Sequence, residues 1–218
     1  MSDFYQGFYA RIYTPSKKEG GLLDGPDNLV GDRYEIIFKN KENEDGSTSS
    51  VAWIKNRFDQ VIAYFTPEVS LKLRLAQAKG LELTAILSFV AYSDNANPCS
   101  YWGEVAIICY SKAYEEAFSK FIDTVSKKMA DGIRLEVKLG DQAVEEIIKT
   151  NGNWEQTKTV PLPKKKNNSV ILKSRQRSSE KLIEQGRKGN VGCYAISIAF
   201  IVAAVIVVIF LMHLTGLF

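Results

Sequence analysis

Apolar and polar residues alternate or recur along most of the first 150 positions, and each rhythm predicts an element. Aromatics at close spacing run from Phe4 to Tyr13, and Tyr34–Phe38 reads as a strand. Val51–Lys55 and Phe58–Phe65 form the arms of a hairpin, and Leu81–Tyr92 and Tyr101–Tyr110 are long strands joined by a polar loop. Between them Thr66 suits a cap, Pro67 a first helical position and Gly80 a stop, with Leu71, Leu75 and Ala78 recurring at helical spacing. Ser111 opens a second helix with Tyr114, Phe118, Phe121, Ile122, Val125 and Met129 on one face. Ile133, Leu135, Val137 and Leu139 alternate with charged residues, which predicts a half-buried strand, and Asp141 starts a short helix ending near Thr150. Gly20–Pro26 reads as a Gly-rich connection and Lys39–Ser50 as a polar loop. Strands interspersed with two or three helices point to an α+β fold.

The pattern changes after Asn190. No Asp, Glu, Lys or Arg follows, and Cys193–Met212 is almost wholly apolar. Twenty residues at a helical rise of about 1.5 Å span roughly 30 Å, the thickness of a bilayer core, which predicts one transmembrane helix over 191–218. The expected organisation is a soluble domain over 1–150, a basic flexible linker over 151–190, and this single-pass tail anchor.

Charge refines that organisation. Nine basic residues (Lys164, Lys165, Lys166, Lys173, Arg175, Arg177, Lys181, Arg187 and Lys188) stand against Glu180 and Glu184 just before the apolar run. By the positive-inside tendency the N-terminal domain is expected in the cytoplasm. The basic stretch reads first as a topology signal; it also suits anionic lipid, and nucleic-acid contact is a third reading. The whole chain is +3, so residues 1–163 carry −4.

Little supports catalysis. The one histidine, His213, lies at the end of the apolar run, and Cys99, Cys109 and Cys193 show no metal-ligand spacing. No phosphate-cradling loop or nucleophile elbow is present. Neither catalytic nor metal residues nor a cofactor are expected.

One stretch carries a family likeness. Gly31-Asp32-Arg33-Tyr34-Glu35-Ile36-Ile37-Phe38 is followed by Asn43–Gly46 and Val51-Ala52-Trp53. Val61-Ile62-Ala63-Tyr64-Phe65-Thr66-Pro67-Glu68, Leu71–Leu75, Gly80, Leu81–Val90 and Val105–Cys109 complete the series. In the order of these elements residues 30–110 resemble a HIRAN domain, a small β-barrel module found alone in bacteria and fused to DNA-processing enzymes. The family's Asn-Pro-Tyr-Asp core is absent, and Ala63 stands where glycine is usual. The resemblance implies a β-barrel that binds nucleic-acid ends. Arg33, Trp53, Tyr64, Tyr101 and Trp102 are then the candidate ligand residues, beside Tyr92, Lys55 and Arg57. Two functions stay open: a membrane-tethered module that recruits a protein partner, and a tethered single-strand nucleic-acid binder. For each ring, cross-strand packing is the competing role.

Overall fold

A computed structural model describes residues 4–42, 48–94, 100–163, 168–187, 200–202 and 206. Its strands are β1 (Tyr5–Tyr13), β2 (Arg33–Glu42), β3 (Thr48–Lys55), β4 (Val61–Phe65), β5 (Leu81–Ser93), β6 (Ser100–Ser111) and β7 (Ser169–Lys173). The helices are α1 (Lys17–Asp24), α2 (Pro67–Ala78), α3 (Glu115–Ala130), α4 (Asp141–Lys149) and α5 (Ser178–Arg187). Neighbouring strands run in the order β2-β3-β4-β1-β6-β5, and β5 pairs with β2, closing a six-stranded antiparallel barrel. Beyond that closure the far end of β5 pairs with β7 through Val90–Ser93.

Alternation along the strands sorts the side chains. Ala10, Ile12, Tyr34, Ile36, Ala52, Ile54, Phe65, Leu87, Val105 and Ile107 fill the barrel. Their outward neighbours Tyr5, Ile86, Ala106, Ile108 and Tyr110 form a second core with Phe118, Phe121, Ile122, Val125 and Met129 of α3 and Val144 and Ile147 of α4. The apolar face expected on α3 is the buried one, with Tyr114 at its edge.

Helix α2 begins and ends where its punctuation predicts. The Thr66 side chain accepts from Val69 N, Pro67 takes the first turn, and Gly80 adopts φ +78°, which a side chain would strain. Its buried residues are Ser70, Leu73 and Ala76, however, while Leu71 and Leu75 are exposed. The expected apolar stripe is therefore the outer face of the helix.

Other expectations are corrected. The Gly-rich connection at 20–26 contains most of α1, capped by Ser16. The polar loop 39–50 is largely strand, since β2 continues to Glu42 and β3 starts at Thr48. Ile133–Leu139 forms only one bridge, Leu135 to Thr159, instead of a strand. The reason lies in its carbonyls: Tyr5 Oη donates to Val137 O and Tyr9 Oη to Leu135 O, both at 2.7 Å. Gly7 permits this approach, because a Cβ there would lie 1.8 Å from Val137 O.

The chain divides into two compact units, 1–176 and 177–218. Residues 151–163 and 168–176 thus belong to the folded unit rather than to a linker. Val160 N donates to Arg134 O, Gln176 N to Ala130 O, and Gln176 Nε2 to Val30 O. In the second unit α5 is ten residues long and polar. The transmembrane, single-pass, tail-anchored reading of 191–218 is corrected, since among the described residues no helix is long and apolar enough to cross a membrane. Of 191–218, only 200–202 and 206 lie within the described residues.

Candidate functional site: an outward aromatic row

Cross-strand register assembles four rings from four adjacent strands. Trp53 on β3 is the Cα partner of Tyr64 on β4, Tyr64 of Tyr13 on β1, and Tyr13 of Trp102 on β6. Their chain neighbours Ile54, Phe65 and Ile12 are fully buried in the barrel, so alternation turns the four rings outward. All four are half-buried. Ring centroids are 5.2 Å apart for Trp53–Tyr64 and 6.1 Å for Tyr13–Tyr64, with interplanar angles of 49° and 36°. At the far end Trp102 meets Phe89 edge-on at 5.4 Å.

A cation stands at each end of the row. The Arg11 guanidinium lies 3.8 Å from the Trp102 ring centre, and Lys39 Nζ 5.3 Å from that of Trp53. Arg11 is two residues before Tyr13 and so shares its outward face. Lys39 stands two residues beyond Ile37, the register partner of Trp53. Neither cation was singled out in the sequence, although period-2 spacing from Tyr13 finds Arg11, and from Ile37, the register partner of Trp53, finds Lys39 once the register is known.

The carboxylate in register with Arg11 is already engaged. Glu104, the β6 partner of Arg11, binds the guanidinium of Arg134, which is itself buried, donates 2.6 Å to Pro161 O and lies over the rings of Tyr9 and Phe89. Burial raises the Glu104 carboxyl's pKa above its usual value, while Arg134 and Arg11 pull it down.

The remaining candidates sit elsewhere. Arg33 is bound to Asp123 of α3. Tyr101 contacts Tyr92 edge-on at 5.1 Å and lies against Gly20 of α1, where a Cβ would come 2.3 Å from its ring. Lys55 is held by Glu35 at 2.7 Å and Asp59 at 3.0 Å, which raise its pKa, and Arg57 by the buried Asp32 at 2.7 Å. The structure brings Trp53, Tyr64 and Trp102 into one row and leaves Arg33 and Tyr101 outside it.

Described members of the basic stretch are engaged locally, each with its own neighbours. Lys173 is 9% exposed and donates to the carbonyls of Gly25 and Asn28 at 2.8 and 3.2 Å, close to Asp24. Arg175 packs beside Gly132, Arg177 N donates to Glu180 within α5's first turn, and Arg187 pairs with Glu184. Lys164, Lys165, Lys166 and Lys188 lie outside the described residues.

The one cysteine among the described residues is withdrawn from solvent. The Cys109 thiol is buried inside the barrel, and burial pushes its pKa up to about 12. Among the described residues no group of three His, Cys, Asp or Glu is placed to hold a metal ion. Cys99, Cys193 and His213 are outside the described residues. No family model, no curated protein and no solved structure matches this chain.

Proposed function

We propose that this chain is a non-catalytic binding module that holds a short run of unpaired nucleotides on the row Trp53–Tyr64–Tyr13–Trp102. The carrying observation is the row itself: half-open rings on adjacent strands, with Lys39 at one end and Arg11 at the other. Single strands are held by base–aromatic stacking beside cations that meet the phosphates, and stacking tolerates any sequence. Arg11 already covers one face of Trp102, so Trp53, Tyr64 and Tyr13 are the platforms for bases. Duplex ends offer such rings only their terminal pair, so the row favours unpaired strands. The likeness to HIRAN domains points to the same ligand class.

The net −4 of residues 1–163 does not oppose this reading. Residues 164–176 add five basic side chains and no acidic one, so the compact unit is close to neutral.

The test is titration of the full chain with labelled single-stranded DNA, single-stranded RNA and blunt duplex across a salt series, read by anisotropy and tryptophan quenching. Single strands are expected to bind and duplex not. The slope of log K against log salt is expected to be about −1.4, since two cations at the row release about 0.7 counterion each. Tyr64→Ala should weaken binding by about 5- to 100-fold. Lys39→Glu, which touches no core, should weaken it and flatten the salt slope. Unchanged affinity in both variants would remove the row as the site, and a duplex preference would remove the ligand class.

A further inference from the structure

Helix α2 leaves one face uncovered. Ser70, Leu73 and Ala76 face the barrel, whereas Leu71 and Leu75 are 60% and 56% exposed. With 3.6 residues per turn, Glu68, Leu71, Leu75 and Lys79 fall in one stripe on the side opposite the buried residues. Phe8 and Val69 border a shallow depression beside it. Lys72 closes that flank, its Nζ 3.6 Å from the Phe8 ring centre.

We propose that this stripe is a self-docking surface, on which a second copy of the chain lays its own α2 antiparallel. A two-fold contact pairs each residue i with j and j with i, so its surface must complement itself. The stripe does so in both apolar and charged positions. The pairs Leu71/Leu75 and Glu68/Lys79 are centred on the same point of the helix, at Leu73–Arg74. A two-fold axis there sets Leu71 against the second copy's Leu75 and Glu68 against its Lys79. Parallel pairing sets Glu68 against Glu68 and Lys79 against Lys79, so charge selects the antiparallel arrangement. Antiparallel helix dipoles favour the same choice. One helix face buries well under the roughly 1,200 Å² of a stable interface, so the association is weak, with a Kd on the order of 100 μM. The surface is separate from the aromatic row, and a dimer would carry two rows.

The test is self-association of the full chain from about 10 μM to about 1 mM, by sedimentation and by energy transfer between separately labelled samples. Glu68→Lys and Lys79→Glu are each expected to weaken association about tenfold, because each turns two symmetry-related pairs from attraction to repulsion. An equimolar mixture of the two variants should recover the wild-type association, since only the mixed pair places opposite charges at both ends. Leu71→Glu should abolish it. All four positions are exposed, and circular dichroism checks that the fold is kept. No association at about 1 mM, reversals without effect, or a mixture no tighter than either variant alone would each overturn the proposal.

Discussion

Strand β1 carries tyrosines at 5, 9 and 13 on one outward face, and the two ends of that face differ in what lies over them. Tyr5 and Tyr9 are covered by the 133–139 segment, their hydroxyls bound to Val137 O and Leu135 O, and Tyr5 stacks on Phe118 at 5.4 Å. Tyr13 belongs to the half-open row with Tyr64, Trp53 and Trp102. The residue type, the strand and the face are the same. What separates a structural ring from a candidate binding ring is whether another element packs over it, and α3 and its following segment stop short of the β3–β4 side.

The comparison is broken most severely on the covered side. Phe118 is fully buried, stacked with Tyr5 at 5.4 Å and Tyr110 at 5.3 Å. Phe118→Ala is expected to cost about 3–5 kcal/mol in urea unfolding, the range for deleting a buried ring and leaving a cavity. Under conditions where the variant remains folded, single-strand affinity should stay within about twofold, because no row residue touches Phe118. A large affinity loss in the folded variant would mean that the two regions are coupled.

The open side should show the reverse. Trp53→Ala removes a half-buried ring that lies against Tyr64 and near Lys39. A cross-strand pair of this kind contributes about 0.2–1 kcal/mol to stability, whereas a stacking platform contributes about 1–3 kcal/mol to binding. Denaturant melts and anisotropy titrations of one preparation give both numbers. A stability loss exceeding the binding loss would turn the row into ordinary cross-strand packing.

How much of this division was legible follows from the same contrast. Strand alternation and the α2 punctuation at Thr66, Pro67 and Gly80 are local signals, carried by the two-residue pleat and by capping within a single turn. Helix α1 was hidden because Gly20 and Gly21 weaken helix propensity, yet Gly20 is what lets the helix approach the Tyr101 ring. The α2 stripe misled for another reason. Leu71 and Leu75 recur at helical period, but periodicity does not say which face is inward, and Leu73 and Ala76 form a rival stripe. The apolar tail predicted a span through length alone. In the row, residue type pointed to Trp53, Tyr64 and Trp102. Their neighbourhood, and the inclusion of Tyr13, Arg11 and Lys39, rests on the register of β3, β4, β1 and β6, which no stretch of sequence holds by itself. Arg33 and Tyr101 fell away for the same reason: their partners, Asp123 and Gly20, are distant in the chain.

The finest separation compares two phenolic oxygens on β1. Tyr9→Phe deletes a 2.7 Å hydrogen bond and leaves Leu135 O without that donor, so it should cost about 1 kcal/mol. Tyr13→Phe alters a surface hydroxyl and should cost less than about 0.5 kcal/mol, while keeping the ring and therefore most of the single-strand affinity. The pH dependence carries the sign. Burial raises the Tyr5 and Tyr9 pKa values above the ordinary phenol value, so the folded chain keeps protons that the unfolded chain releases above about pH 10. The unfolded state then binds fewer protons, and stability that is full below about pH 10 falls as pH rises toward the folded-state values. Tyr9→Phe removes one of these protons, so its stability should decline less steeply with alkali than the wild type's. Urea melts at intervals above pH 9, with tyrosinate absorbance followed in parallel, measure this slope. An unaltered slope would mean that the Tyr9 hydroxyl is open to solvent, and with it the contrast between the two ends of β1 would disappear.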